Sequence, residues 1–533
     1  MPYKPTAPDY EPVTPLRRAR AFEVDEDAAG WPTPTSEDAD AWSGYAEPGR
    51  PAHEVVESAE KESTARVSDV SDDARRDGGD VPATRVWPKL KRGHGLGFAG
   101  LLLFTAFVYF RPYELVAALA PLSSSAYWIA VATLAVFIPT QLSLEGTLTA
   151  RPREVNLVLL LLLAGFLSMP LAIEPLEAWG GWLEFAKVVT MFVVMVNVVR
   201  TESRLRMMIW LALLVSIILS MVALNDYRTG QLNLGGVRIE GALGGLFENP
   251  NDMALHLVTI IPIALGLLFV ARGPLKKVAY GGMALLMMAA TGATLSRGGL
   301  LGLACATFLM AWKIGRRNRM MVVVLYMAAG AIFLLLLPPE FIMRLLSVVG
   351  DGSDGGSASQ RQNLLVRSIY VSILHPLLGV GMNNFHILSL REQVSHNAYT
   401  QVSAEMGLPA LAFYLLFMLS TLKRLRRIER ETYETRDRAR VFYLAVGLQA
   451  SLVGYMVSSF FASVAYLWYV YYLVGYALCL HRLYEAKGAE VFGRATRARV
   501  RAADEGDAVE EGEAAPEASA VASGGAFAAH GGR

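Results

Sequence analysis

A histidine at the end of a long polar stretch has the chemistry of a general base. Residues 338–400 interrupt an otherwise apolar region and close on Ser-His-Asn-Ala-Tyr, in which the histidine is His396. A neutral imidazole can take a proton from a hydroxyl, and arginines in the same stretch lower its basicity. The alternative is a loop histidine bonded to backbone, which is the interpretation for His375 and His386 nearby.

A second candidate group is Arg297, in the tight turn Leu-Ser-Arg-Gly-Gly between two apolar segments. The first N–H groups of the helix that follows, at Gly298, Gly299 and Leu300, have no partners within a regular helix. Together with a guanidinium they predict a site for an anion. An arginine whose charge reaches out from a helix end to the membrane surface is the alternative.

The elements that must position these groups are membrane-spanning helices. Of the 533 residues, 53% are hydrophobic, and the charged residues concentrate towards the two ends of the chain. Twelve apolar segments are long enough, or nearly so, to cross a bilayer. They lie near residues 96–110, 125–142, 155–172, 181–199, 207–225, 252–271, 277–295, 298–313, 320–337, 401–422, 441–461 and 463–481. The sequence therefore predicts an all-α, polytopic membrane protein.

The distribution of Lys and Arg predicts the orientation, because cytoplasmic loops are enriched in these residues. With the N-terminus inside, every inner loop is basic: Arg151, Arg153, Arg200, Arg204, Arg206, Arg272, Lys276, Lys277, Lys313, Arg316, Arg317, Arg319 and the run from Lys423 to Arg440. Both termini are then cytoplasmic. The two long interruptions, Asp226 to Asn251 and Pro338 to Thr400, face outward, and so do the cations Arg238 and Arg344 within them.

The ends of the chain differ from the middle. Residues 1–92 are rich in Pro, charged residues and Ser, and residues 486–533 are basic, then acidic, then rich in Gly and Ala. Both are predicted to be disordered tails, because they have too few apolar residues to form a core. The domain between them spans residues 93–485. The two cysteines, Cys305 and Cys479, lie in apolar segments, and no metal or cofactor site is predicted.

Three finer expectations concern the elements around the candidate residues, and a fourth concerns charge within the spans. Residues 360–374 predict a surface helix that packs through Leu364, Leu365, Ile369 and Ile373. Asn251 is expected to cap the helix that follows it. His256 is expected to form an interhelical hydrogen bond.

The remaining expectation concerns charge within the spans. Glu184 and Lys187 are the chief charged residues predicted near the middle of the membrane.

Several motifs resemble those of the bacterial O-antigen ligase and O-antigen polymerase family. His396-Asn397, followed after nine residues by Gly407, is similar to the histidine motif of that family. Four further stretches also resemble the family, in the same order: Asn249 to Ala254, Ser296 to Gly299 and Leu378 to Phe385 precede His396, and Ala404 to Pro409 follows it. The resemblance covers residues 230–410. One departure is Ala410, where the family more often has Gly, Thr or Tyr, and this leaves the subfamily open.

The resemblance implies a GT-C-like glycosyltransferase in the bacterial inner membrane with its active site on the periplasmic face. The enzyme would transfer a glycan from undecaprenyl diphosphate to an acceptor hydroxyl, by inversion and without a metal ion. Arg297 and Arg361 would bind the diphosphate and His396 would deprotonate the acceptor. Arg238 and Arg344 are further candidates for the diphosphate, placed by their outward position.

The acceptor and the exact activity stay open at this point. A ligase would use a lipopolysaccharide core or a protein as acceptor, whereas a polysaccharide polymerase would use another repeat unit on the same lipid carrier. A transporter or flippase for lipid-linked glycans is a further alternative, and a structural membrane subunit is the last. None of these interpretations involves nucleic acid.

Overall fold

The protein is a bundle of α-helices. The computed structural model describes residues 93–111, 119, 124–230, 232–233, 238–239, 247, 249–336, 355–389, 392–433 and 439–487. The helices are α1 Gly95–Phe110, α2 Ser125–Glu145, α3 Arg153–Leu167, α4 Pro175–Val198, α5 Glu202–Thr229, α6 Pro250–Val270, α7 Pro274–Ala293, α8 Arg297–Ile314, α9 Arg319–Leu336, α10 Gly355–Leu374, α11 Ala398–Thr432, α12 Ala439–Ser458 and α13 468–487.

The all-α, polytopic fold class is confirmed. Each of the twelve predicted apolar segments coincides with one helix, and α10 is the additional surface helix. In the described part of the chain, seven helices are long and apolar enough to cross a membrane. These are α2 to α6, α11 and α12. For α3 and α12, the span also includes the short turn that follows the helix. The full count of twelve spans therefore remains a prediction.

The remaining secondary structure is short. Strands β1 (Leu232–Asn233) and β2 (Arg238–Ile239) form one antiparallel pair with Leu232 opposite Ile239. Single 3-10 turns follow α3 at Met169–Leu171 and α12 at Ser459–Phe461. The predicted disordered tails, apart from residues 486 and 487 at the end of α13, lie outside the described residues.

Helices α6 and α12 pack closely at the centre of the bundle. A Cβ atom on Gly447 would lie 2.8 Å from the carbonyl oxygen of Pro262, and one on Gly454 would lie 2.8 Å from the side chain of Val258. Small residues allow helix backbones to approach, which is how helices associate where lipid removes the hydrophobic driving force. Tyr414 of α11 and Tyr455 of α12 are both fully buried, and their hydroxyl groups form a hydrogen bond of 2.8 Å.

One end of the bundle is tied together by buried ion pairs. Glu429 of α11 accepts hydrogen bonds from Lys313 at 2.5 Å and from Arg316, both near the end of α8. Arg424 pairs with Glu154 at 2.7 Å, which joins α11 to α3. Arg200 pairs with Glu145 at 2.8 Å and donates a further hydrogen bond to the side-chain oxygen of Gln141 at 3.0 Å. This ion-paired end carries the loops that the sequence analysis identified as basic, and it is called the basic end below.

Helix α10 packs through a different face from the predicted one. Its buried residues are Leu364, Ser368, Val371 and Ser372, and Ser372 bonds to Ser403 of α11 over 2.8 Å. Ile369 and Ile373 are exposed by 44% and 68%. The expected apolar face was therefore wrong at Ile369 and Ile373, whereas Leu364 is buried and Leu365 is half-buried. Ser372 packs against α11 because its hydroxyl finds a hydrogen-bond partner there, whereas Ser368 donates to the carbonyl of Leu365 within α10. Apolar periodicity does not reveal buried polar residues of this kind.

Candidate active site

The motif segments meet at the end of the bundle opposite the basic end. The start of α8 touches the start of α6 and the end of α12: a Cβ on Gly299 would lie 2.7 Å from the Cβ of Ala254, and one on Gly298 would lie 2.8 Å from the Cβ of Phe461. Ser395, just before α11, lies 3.3 Å from Ser463, just after α12. This site end therefore gathers segments that are far apart in the sequence.

His396 is held between two buried and anchored neighbours. Ser395 donates from its hydroxyl to the carbonyl oxygen of Asn397 at 3.0 Å. Asn397 caps α11, because its side-chain oxygen accepts from the backbone N–H groups of Tyr399 and Thr400 at 2.9 and 3.1 Å. His396 itself has a left-handed backbone with φ of 52° and a half-buried side chain. A non-glycine residue in this conformation is a feature of functional sites, where neighbouring contacts hold it.

The three residues that the sequence analysis assigned to one site are electrostatically coupled. Burial lowers the pKa of His396, and the positive charge of Arg361 lowers it further. Burial also lowers the pKa of Arg361, with a further contribution from the charge of Arg297. Each shift requires that the charged groups lie close to each other. The fold therefore places Arg361 near both His396 and Arg297.

This cluster of cations has no acidic counterpart in the described part of the chain. None of the ion pairs there includes Arg297 or Arg361. Two neighbouring guanidinium groups repel each other, and elsewhere in this protein buried arginines such as Arg200 have carboxylate partners. Uncompensated positive charge beside a neutral imidazole is the electrostatic pattern of an anion site next to a base.

The turn at Arg297 differs from its expectation in one respect. Ser296 caps α8, since its hydroxyl accepts from the N–H of Gly299 at 3.3 Å, and the N–H of Leu300 donates to the carbonyl of Ser296 at 2.9 Å. Two of the three N–H groups expected to be free are therefore used within the helix. The two glycines serve close packing against α6 and α12. Anion binding at this turn rests on the guanidinium of Arg297.

A break in α11 fixes the segment that precedes His396. At Gly407 the backbone leaves helical geometry, with φ of 88° and ψ of 172°, and Pro409 follows. The carbonyl groups of Ala404 and Glu405 accept instead from the N–H groups of Val380 and Gly381, each at 3.0 Å. On the other side of the break, the N–H of Leu408 donates to the carbonyl of Pro376 at 2.7 Å.

Glycines make this contact between two backbones possible. Gly379 has φ of 66°, and a Cβ atom there would lie 2.5 Å from the carbonyl oxygen of Glu405. A Cβ atom on Gly407 would lie 2.5 Å from the carbonyl carbon of Leu377. The two motifs on either side of His396 are therefore one structural unit, a loop clamped to a helix break. Helix α10 leads into this loop, so the clamp connects the segments of Arg361 and His396.

The structure does not describe the side chains of the two further arginine candidates for the diphosphate. Arg238 begins β2, and of its side chain nothing is described. Arg344 lies outside the described residues. Their assignment to the diphosphate therefore stays a prediction.

Two finer expectations are resolved nearby. His256 of α6 lies 3.0 Å from the hydroxyl of Ser216 of α5, which confirms the interhelical hydrogen bond. The predicted cap of α6 was wrong by two residues. Asn249 caps the helix, and its side chain accepts from the N–H of Asn251 at 2.9 Å. The helix begins there because Pro250 occupies the first helical position.

His386 and the two charged residues predicted near the middle of the membrane have local partners. His386 bonds through Nδ1 to the carbonyl of Asn383 at 2.6 Å and lies 3.7 Å from Glu177 of α4. Glu184 and Lys187 pair with each other at 2.5 Å and are largely exposed.

A buried carboxyl group that the sequence analysis did not single out is Glu405. Its residue is 4% exposed, and it lies in the broken part of α11 near Tyr466. The sequence signal that could have identified Glu405 is the presence of an acidic residue inside an apolar segment.

Fold and site together define a class of protein: a multispanning, all-α membrane protein with a histidine and two arginines at one end of the bundle. Residues 282–415 match the family model described as O-Antigen ligase. The matched segment contains Arg297, Arg361 and His396, and the match confirms the resemblance to the O-antigen ligase and polymerase family found in the motifs. Comparison of the chain with curated proteins finds no match.

The family and the apolar helices give the coarse function. The match and the apolar helices support a multi-pass inner-membrane protein with membrane glycosyltransferase activity of the O-antigen ligase or polymerase type and a role in polysaccharide biosynthesis. For its partners, the match supports in general a lipid-linked glycan and a polysaccharide or lipid acceptor.

Proposed function

We propose that this protein transfers a glycan from an undecaprenyl-diphosphate donor to an acceptor hydroxyl at the periplasmic face of the inner membrane. The observation that carries the proposal is the coupled cluster of Arg297, Arg361 and His396, which has no acidic partner among the described ion pairs. Its groups match the two demands of the reaction. A leaving diphosphate requires fixed positive charge, and an attacking hydroxyl requires a base.

In the proposed step, His396 takes the proton of the acceptor hydroxyl. The hydroxyl oxygen forms a bond to the anomeric carbon of the donor sugar while the bond from that carbon to the diphosphate oxygen breaks. The electron pair leaves with the diphosphate, which Arg297 and Arg361 bind. Because base and leaving group act on opposite sides of the sugar, the step inverts the anomeric configuration.

The neutral state of His396 favours this role. Burial and the charge of Arg361 lower its pKa from the ordinary value of 6.5, so the imidazole is unprotonated at neutral pH. A general base must be unprotonated to accept a proton. The same positive charge that binds the diphosphate thus keeps the base available.

The arginine pair also bears on the proposed independence from metal ions. Two guanidinium groups supply the charge that a metal ion supplies in other phosphate sites. Within the described ranges, no three His, Cys, Asp or Glu residues form a group able to hold a metal ion. Full activity in the presence of EDTA would support this part of the proposal, and loss of activity that added Mg²⁺ restores would overturn it.

Two features weigh against a transporter. Transporters often expose unwound backbone to their cargo, but here the carbonyl groups freed by the break in α11 are bound by Val380 and Gly381. The basic end is held by buried ion pairs that join α3 to α11 and α8 to α11. Alternating access would have to break these pairs, and separating a buried pair costs several kcal/mol.

Ligase and polymerase activities share the same site, since they differ in the molecule that offers the hydroxyl. We propose the ligase, with a lipopolysaccharide core or a protein as acceptor, and a polymerase that joins repeat units as the alternative. The test is turnover by the purified protein with a synthetic undecaprenyl-diphosphate glycan and each acceptor in turn. Product masses identify the acceptor, and absence of glycan transfer to every acceptor would overturn the proposal.

A further inference from the structure

A groove runs between α1 and α5 at the basic end, on the outside of the bundle. It has a volume of about 640 Å³ and is lined by Ala99, Leu102, Leu103, Ala106, Ser203, Arg206, Met207, Trp210 and Leu211. This volume is in the range of ligand sites, about 300–1,000 Å³. All the lining residues except Ser203 and Arg206 are apolar, and those two lie together at the start of α5. The groove is therefore apolar along its length and polar at one end.

The dimensions of the groove agree with part of one membrane leaflet. The lining positions on α1 and on α5 each follow helical spacing along one face, over about two turns. Two turns extend about 11 Å along a helix. One leaflet contributes about 15 Å of hydrocarbon thickness. The groove is long enough for much of one acyl chain, with the polar end at the level of the headgroups.

Three arginines lie near the start of α5, and two of them are used inside the protein. Arg200 pairs with Glu145, and Arg204 donates to the carbonyl groups of Gly93 and Val198 at 2.7 and 2.9 Å. Arg206 is exposed and has no ion pair or hydrogen bond to any residue that the structure describes. The acidic residue of the same helical turn, Glu202, is paired with Lys487. Net positive charge thus remains at the polar end of the groove.

We propose that this groove binds an anionic phospholipid of the leaflet at the basic end, which is the cytoplasmic leaflet in the orientation predicted from the sequence. Arg206 binds the phosphate, the hydroxyl of Ser203 donates a hydrogen bond to it, and one acyl chain lies between α1 and α5. Basic pockets between membrane helices on the cytoplasmic side bind anionic headgroups in this manner. The site is separate from the cluster of Arg297, Arg361 and His396 at the opposite end.

The test measures retained lipid. The purified protein in detergent is incubated with phosphatidylglycerol or with zwitterionic phosphatidylethanolamine, and native mass spectrometry counts the bound molecules. The wild type is expected to retain one phosphatidylglycerol at least five-fold more often than phosphatidylethanolamine. Arg206→Ala should abolish this preference. Ala106→Trp, which fills the apolar part of the groove and leaves the charge in place, should reduce retention of both lipids.

The matched control is Arg153→Ala, which removes another exposed arginine from the first turn of a helix at the same end, outside the groove. It should retain phosphatidylglycerol as the wild type does. An equal loss in Arg153→Ala would mean general attraction to basic loops and would overturn the site. Unchanged retention in both Arg206→Ala and Ala106→Trp, with each variant eluting as one folded species, would overturn it as well.

Discussion

The backbones of Gly379 and Glu405 are in direct contact, although 26 positions separate them in the sequence: a Cβ atom on Gly379 would lie 2.5 Å from the carbonyl oxygen of Glu405. This contact clamps the loop after α10 to the break in α11, on the path that connects Arg361 with His396.

Gly379→Ala is therefore expected to disturb the site from a distance. The left-handed backbone of Gly379 costs a side chain about 1–2 kcal/mol, and the contact with Glu405 adds to this cost. Thermal unfolding should shift to lower temperature and glycan transfer should fall with it. Gly282→Ala is the control, because nothing lies within 4 Å of a Cβ in that helix position. Wild-type behaviour of Gly379→Ala would show that the clamp is dispensable.

His396→Ala is expected to lower the rate of transfer about 10²- to 10⁴-fold, the usual contribution of a general base. Thermal unfolding should change little, since the side chain is half-buried and its neighbours Ser395 and Asn397 hold the segment. His375→Ala, an exposed histidine at the same end of the bundle, should be nearly silent. Full turnover by His396→Ala would remove the residue from the chemistry.

The pH dependence follows from the lowered pKa of His396. A neutral imidazole accepts the proton, so activity should persist at pH 6.5 and fall at lower pH, through the lowered pKa. Arg361→Gln removes a positive charge and should move that pKa upward. Because this variant also loses donor binding, the readout is the rate at which diethyl pyrocarbonate modifies His396, followed by peptide mass analysis. An unchanged or lower midpoint in Arg361→Gln would contradict the coupling.

Arg297→Lys and Arg361→Lys should each weaken donor binding at normal protein level. A lysine keeps the charge but cannot place two parallel N–H groups on phosphate oxygens. Binding of a fluorescent polyprenyl-diphosphate analogue measures the effect. Arg228→Lys, an exposed arginine at the end of α5, is the control. Equal binding by the wild type and both site variants would assign Arg297 and Arg361 to membrane-surface contacts.

The two ends of the bundle should lie on opposite sides of the membrane. Leu148, in the loop between α2 and α3 at the basic end, and Leu171, in the turn before α4, are exposed by 60% and 59%. Cysteines introduced at these positions, in a Cys305→Ser background that keeps the buried Cys479, should react differently with an impermeant reagent on intact spheroplasts. Leu171→Cys should label and Leu148→Cys should not. The reverse pattern would invert the proposed orientation.

Several features of this protein follow from its sequence because they depend on local pattern. Apolar length locates the helices, and each predicted segment coincides with one. Residue chemistry singles out Arg297 and His396, and the resemblance to the family adds Arg361 and assigns the three residues to one site.

Local caps and helix faces were less predictable. Asn249 rather than Asn251 caps α6, and Ser296 uses N–H groups that were expected to be free. The buried face of α10 includes Ser368 and Ser372, and the hydroxyl of Ser372 is hydrogen-bonded to that of Ser403. These choices depend on neighbours that are distant in the sequence.

The tertiary structure alone decided how the site is assembled. Arg361 and His396 lie on separate elements, and their coupling depends on the contact of residues 376–381 with the break at Gly407. The sequence shows glycines at both places, but a glycine is compatible with many conformations. The break in α11 frees backbone groups that are buried in the bundle. Buried N–H and carbonyl groups must find partners, so the tertiary structure decides which carbonyl accepts from which N–H.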